Sequence, residues 1–204
     1  MLRLSIDENR IEAGCDEAGR GCLAGPVCAA AVILPKEHNI IGLNDSKKIA
    51  KSKRETLRNL IEENALSWSV AMVWEKEIDK INILNASIKA MHLALANLNI
   101  TPSFIAVDGN RFKPYKNIPY QTVIKGDGKY LHIAAASILA KTHRDAYMKQ
   151  LHEKFPMYNW LKNNGYPTVE HRNAVMQYGL TVHHRKTFKT TDPQLKIWPQ
   201  KVSS

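Results

Sequence analysis

Ile11, Ala13 and Cys15 alternate with Glu12, Gly14 and Asp16, the period of two that marks a strand with one apolar face. Gly19-Arg20-Gly21 breaks that pattern. Val27 to Leu34 is an unbroken apolar run closed by Pro35, which predicts a strand buried on both faces. Residues 35–50 read as a loop. A helix is predicted from Ser52 to about Asn64, with Ser52 as its N-cap and Glu55 completing a capping box. Ser67 to Trp74, partly alternating and rich in β-branched and aromatic residues, reads as a third strand. Ile81, Leu84, Ile88, Met91, Leu95 and Leu98 recur at three- and four-residue intervals, the clearest amphipathic helix in the chain. Phe104 to Val107 is a short apolar strand that stops at Asp108-Gly109-Asn110. Residues 111–119 read as a loop, and Thr122 to Ile124 as another short strand, followed by Lys125-Gly126-Asp127-Gly128. A long helix is predicted from about Leu131 to Leu151 and a second from Val169 to Tyr178. From about Thr187 the chain is basic and reads as a loosely docked tail.

Strands followed by helices interleaved with further strands predict a mixed α/β domain. The first three strands suit a meander, and the later ones should run parallel to a central strand. A chain of 204 residues, 44% hydrophobic and 24% charged, has the composition of one globular domain with a real core. No apolar stretch of about 18 residues is present, so no membrane helix is expected. Met1 to Asp7 lacks a long apolar run, so no secretory signal is expected either.

The charge is uneven. The net charge is +10, yet residues 1–110 hold 13 basic and 14 acidic side chains, and residues 111–204 hold 16 basic and 5 acidic. A basic half on a folded chain points to a polyanionic partner, nucleic acid first, or else to a solvated basic face. Cys15, Cys22 and Cys28 are odd in number and contain no C-x-x-C pair. That argues against a disulfide framework and against structural zinc; buried small hydrophobes in a reducing cytosol are the simplest reading.

Three acidic positions share one setting. Asp16-Glu17 and Asp108 close apolar strands, and Asp127 follows one; each is next to glycine or a glycine-rich turn. Strand ends of an α/β sheet converge on one edge, where ligands bind. Four carboxylates together require compensation, and hard oxygen donors without His or thiolate favour Mg²⁺ or Mn²⁺. A basic surface beside such a pocket suits a nuclease. Against this, Asp beside Gly also serves simply to cap turns. Gly19 and Gly21 permit close backbone approach to a ligand, and Arg20 between them can contact a phosphate.

The ordered set Asp16-Glu17-Ala18-Gly19-Arg20-Gly21, Leu23-Ala24-Gly25-Pro26-Val27, Asp45-Ser46-Lys47-Lys48, Asn82-Ile83-Leu84, Val107-Asp108-Gly109-Asn110, Lys125-Gly126-Asp127, Ala135-Ala136-Ser137-Ile138-Leu139-Ala140-Lys141 with Arg144-Asp145, Asn164-Gly165-Tyr166 and His184-Arg185 resembles ribonuclease HII. The resemblance spans about residues 11–188. It implies a ribonuclease H-like mixed central sheet flanked by helices, with a small helical C-terminal extension: a catalytic domain over residues 1–186 and a basic tail over 187–204. It implies a cytoplasmic, monomeric endoribonuclease that cuts the RNA strand of RNA–DNA hybrids. The same resemblance implies nicking on the 5′ side of single ribonucleotides in duplex DNA, leaving 3′-hydroxyl and 5′-phosphate ends. Two Mn²⁺ or Mg²⁺ ions would be held by Asp16, Glu17, Asp108 and Asp127, with Asp145 the rival for the fourth place. Asp145 is otherwise read as an ion-pair partner of Arg144. By the same resemblance Gly19, Arg20 and Gly21 read the ribose 2′-hydroxyl, and Tyr166 stacks on the neighbouring sugar. Lys47, Asn110, Ser137, Lys141 and Arg144 complete the expected substrate contacts, the last three at i, i+4 and i+7 on one helix face. His171 and His184 receive no role, and a replication-clamp contact through the tail is left open. Cys22 departs from the family, where proline commonly follows the second glycine and stiffens the turn. The additional N-terminal domain of ribonuclease HIII is not expected here, which argues against that relative. A non-catalytic basic binder, or another ribonuclease H-like nuclease such as a resolvase or a transposase, is the competing reading.

Overall fold

The computed structural model of the chain describes residues 2–7, 9–37, 40, 42–43 and 49–190. Its order is β1 (Glu12–Ala18), β2 (Val27–Ile33), α1 (Lys51–Asn64), β3 (Ser67–Val73), α2 (Glu75–Ala96), β4 (Phe104–Asp108), β5 (Tyr120–Val123), α3 (Leu131–Lys154), α4 (Trp160–Asn163) and α5 (Val169–Tyr178). The five strands form one sheet in the order β3-β2-β1-β4-β5. β1, β2 and β3 pair antiparallel as a meander, while β4 lies parallel to β1 and β5 parallel to β4.

The continuous apolar run of β2 follows from its position, with both faces covered. Val27, Ala29, Ala31 and Ile33 join the core under α2, whereas Ala30 and Val32 join a second core with α1 and α3. Small residues let α3 lie close on the sheet. A Cβ added to Gly14 would stand 2.3 Å from the backbone carbon of His132, and Ala134, Ala135 and Ala136 at the head of α3 are fully buried.

Three sequence expectations shift. α1 begins at Lys51 with Ala50 as N-cap and no side-chain cap bond. Ser52 therefore falls inside the first turn, past the position from which its hydroxyl could bond the free amides. α2 is two helical pieces across Asn82, whose φ is 65° and ψ 164°. The Asn82 side-chain oxygen accepts the Asn85 N–H at 3.1 Å and so starts the second piece. Leu84, in that opening turn, is 36% exposed, whereas Ile88, Met91 and Leu95 of the stripe are buried together with Ala86, Ala90 and Ala94. The body also continues past residue 186. Asp79 accepts the N–H groups of Lys186 and Thr187, Phe188 packs on the α2-side core, and Arg172 donates to the Thr190 carbonyl. Residues 191–204 of the expected tail lie outside the described residues. None of the described helices is long and apolar enough to cross a membrane.

Candidate active site

The register of the parallel strands builds the site. Cys15 pairs with Val107, so the next residues, Asp16 and Asp108, leave neighbouring strand ends side by side. Alternation turns Cys15 into the α2-side core and Asp16 toward α3, where Ser137 hydrogen-bonds it. A cleft of about 320 Å³ opens at this edge. It is lined by Asp16, Glu17, Asp108, the Gly19-Arg20-Gly21 turn, Ser137, Lys141 and Tyr166.

Three carboxylates face this cleft, and Asp16 and Glu17 hold their protons more tightly for it. Burial pushes Asp16 well above the usual carboxylate range, and the charges of Glu17 and Asp108 add to it. Burial also raises Glu17, against a lowering by Arg20 and a further raise from Asp108. Each carboxylate is held by whatever donor is at hand. The Glu17 N–H donates to Asp16 at 2.6 Å, Arg20 pairs with Glu17 at 3.0 Å, and the Gly126 N–H donates to Asp108 at 2.6 Å. Among the described residues no three such groups are already gathered as a metal cage. The donor set is nonetheless what a hard divalent cation requires: oxygen only, clustered, and short of positive charge. The Arg20 side chain is about half exposed, so its pairing with Glu17 is weak and readily exchanged.

Asp127 sits in a short 3₁₀ turn after β5, buried, one residue beyond the amide that holds Asp108. It is outside the lining of the cleft. Asp145 is buried and receives the Lys141 ammonium at 2.7 Å, so its ion-pair partner is Lys141 and the expected pairing with Arg144 is corrected. Arg144 is corrected as a phosphate contact too. Its side chain is fully buried and donates to the carbonyls of Pro26, Asn164 and Ala24. The helical spacing places it on the same face as Ser137 and Lys141, but the loops around Ala24 and Asn164 roof that end of the face. Asn110 is exposed beyond the strand end. Lys47 lies outside the described residues.

Gly19 needs both its freedom and its size. Its φ is +88°, and an added Cβ would collide with the Arg144 side chain at 2.0 Å. Tyr166 is 39% exposed at the cleft mouth, and the Lys141 ammonium sits 5.9 Å from its ring centre. Cys22, where proline is common, brings its thiol to the Tyr166 hydroxyl and bonds the Asn164 carbonyl at 3.6 Å. Burial pushes that thiol up, so it packs as a neutral group.

Sequence reading assigned nothing to His171 and His184, and the structure gives them a supporting role. The Thr181 N–H donates to His184 Nδ1 at 2.9 Å, which leaves the His184 proton on Nε2, facing His171 Nε2 at 3.2 Å. His171 Nε2 also accepts the Trp160 indole N–H at 3.0 Å, so its own proton is on Nδ1 and donates to the Tyr166 carbonyl at 2.9 Å. One pair of neutral tautomers satisfies every bond: the Thr181 hydroxyl, 3.0 Å from His184 Nδ1, can donate to it as well, and an extra proton on His171 Nε2 would face the Trp160 indole N–H. Burial, then the neighbouring His171 and His183, accordingly push His184 down to about 4. The folded value lies below the ordinary 6.5, so the unfolded chain takes up the proton first. Stability is full above pH 6.5 and is lost as pH falls toward 4, by about 3 kcal/mol from this group. Melting temperatures at pH 7 and 4.5 should show the loss, and His184→Gln should shrink it. An unchanged pH slope in that variant would contradict the neutral pair.

The mixed five-stranded sheet flanked by helices, with carboxylates at adjoining strand ends, is a ribonuclease H-like fold. The family model for ribonuclease HII matches residues 13–191. The ribonuclease HII of Christiangramia forsetii is 63% identical over 185 residues, covering 91% of this chain and 93% of that one. Among solved structures, ribonuclease H2 from Pyrococcus horikoshii OT3 superposes with a TM-score of 0.75 at 29% identity, covering 88% of this chain and 94% of that one. The ribonuclease HII of Archaeoglobus fulgidus, solved in a complex with PCNA, gives 0.77 at 25% identity, covering 92% and 100%. The chain belongs to the ribonuclease HII family, and it is an endonuclease acting on RNA–DNA hybrids.

Proposed function

We propose that the protein nicks on the 5′ side of single ribonucleotides in duplex DNA as well as cutting the RNA strand of hybrids, using two Mn²⁺ or Mg²⁺ ions. The observation that carries this is the cluster of Asp16, Glu17 and Asp108 in one cleft beside a backbone loop, three acids left short of positive charge. Asp16, Glu17, Asp108 and Asp127 would hold the ions. When bound, these supply Lewis-acid chemistry, activating water and offsetting charge on the scissile phosphate.

The rest falls to the chain. Ser137 orients Asp16 through its hydroxyl. The Gly19-Arg20-Gly21 backbone meets the 2′-hydroxyl, the group that separates RNA from DNA. The Tyr166 ring, exposed at the mouth, stacks on the adjoining sugar. Arg20, Lys141, Lys47 and Asn110 contact the backbone of the duplex, contacts that position it without reading sequence. The enzyme works as a cytoplasmic monomer, with residues 191–204 as a non-catalytic appendage. The PCNA complex of the Archaeoglobus relative supports looking for a clamp contact there.

The test is an RNA–DNA hybrid with a labelled RNA strand, incubated with the protein in Mn²⁺, in Mg²⁺ and in EDTA. RNA fragments should appear with either metal and vanish in EDTA. An intact hybrid in both metals, with folded protein, would sink the proposal.

A further inference from the structure

Arg185 is fully buried, yet it comes from the C-terminal segment and reaches under the glycine loop. Its Nη2 donates to the Gly19 carbonyl at 2.7 Å, its Nη1 to the Arg20 carbonyl at 2.9 Å and its Nε to the Gly25 carbonyl at 2.9 Å. In a trans peptide the C=O and the following N–H point in opposite directions. Holding the Gly19 and Arg20 carbonyls inward therefore turns the N–H groups of Arg20 and Gly21 outward, into the cleft these residues line. Neither N–H has a partner among the described residues. Two adjacent unpaired N–H groups form a small concavity that suits one oxygen.

We infer that Arg185 is a positioning residue for ribose recognition, setting the two peptide planes whose N–H groups meet the 2′-hydroxyl. This rests on the reading of the cleft as a ribonuclease site. The guanidinium is not needed to fasten its own segment. Backbone bonds already do that, from the Arg185 N–H to Leu23, from the Gly25 N–H to His183, and from Lys186 and Thr187 to Asp79. Its contribution is the fork. Three carbonyls from two stretches of chain are gripped in one plane, which a lysine ammonium on a flexible stem cannot reproduce. Glu75, also buried, and Asp79 are the acids whose charges reach this guanidinium.

The test compares two 18-mer-class DNA duplexes of one sequence, all-DNA or with a single ribonucleotide, bound to Asp108→Asn protein to arrest turnover. Arg185→Lys in that background should lose about tenfold of the preference for the ribonucleotide duplex, while all-DNA affinity stays within about twofold. An unchanged preference, or an equal loss on both duplexes, would overturn the assignment, the latter marking a merely structural arginine. Should Arg185→Lys fail to fold, Asp79→Asn loosens the residues that follow Arg185 from an exposed site. It should lower the preference by about threefold; no change there would equally overturn it. If the Asp108→Asn parent itself shows no preference, the ribose-sensing cleft fails and this inference falls with it.

Discussion

Asp108→Asn is expected to lower strand cleavage by on the order of a thousandfold while duplex affinity changes little. Asp108 closes β4 beside Asp16, and its charge is one of those that raise Asp16 and Glu17. Asparagine keeps the size and still accepts the Gly126 N–H, so the fold is preserved. What is lost is an anionic donor to divalent cations and the field that holds them. The contacts proposed to position the duplex are elsewhere, on Lys141, Arg20 and the loop. A second readout follows from the same repulsion. Without metal, removing one of several crowded carboxylates relieves strain, so the variant should melt at or above the temperature of the parent. Single-turnover cleavage and a thermal melt in EDTA check both. Cleavage within tenfold of the parent would remove Asp108 from the metal site.

Gly14→Ala is expected to destabilise the protein by about 3 kcal/mol or more. The added carbon would lie 2.3 Å from the His132 backbone carbon and 2.5 Å from the Ile133 nitrogen. Both neighbours are backbone at the head of α3, so no side chain can swing away. Relief requires lifting the helix off β1, and that helix carries Ser137 and Lys141 to the cleft. Denaturant melts should show the loss with no change in slope, and activity should fall through a smaller folded fraction. A cost under about 1 kcal/mol would mean that α3 sits less tightly on β1.

The contrast between the two substitutions reflects what a sequence can carry. Asp16, Glu17 and Asp108 were visible because strand ends announce themselves: an apolar alternation stops, an acid follows, then glycine. The parallel placement of β4 on β1 followed from the interleaved helices. The depth of a residue on a helix was not visible. Ser137, Lys141 and Arg144 do share one face of α3, but Arg144 lies under carbonyls more than a hundred residues away, at Ala24 and Pro26. Arg185 was hidden for the same reason, since its acceptors at Gly19 and Arg20 are separated from it by 166 and 165 positions. Nothing in a local window marks a buried arginine whose partners are backbone. The break in α2 was masked by a regular stripe of large apolar residues, which keeps its spacing across Asn82 from Ile81 to Leu84. Gly14 reads locally as one polar-side position of a strand; only the arrival of α3 gives it a reason.

The most direct measurement uses duplex DNA with one embedded ribonucleotide, end-labelled, incubated with the protein and Mn²⁺, with the products resolved and their ends mapped. The expected result is a single nick on the 5′ side of the ribonucleotide, leaving a 3′-hydroxyl on the upstream DNA and a 5′-phosphate on the ribonucleotide. An uncut strand with folded protein, or a cut on the 3′ side ending in a cyclic phosphate, would contradict metal-dependent hydrolysis directed by the glycine loop.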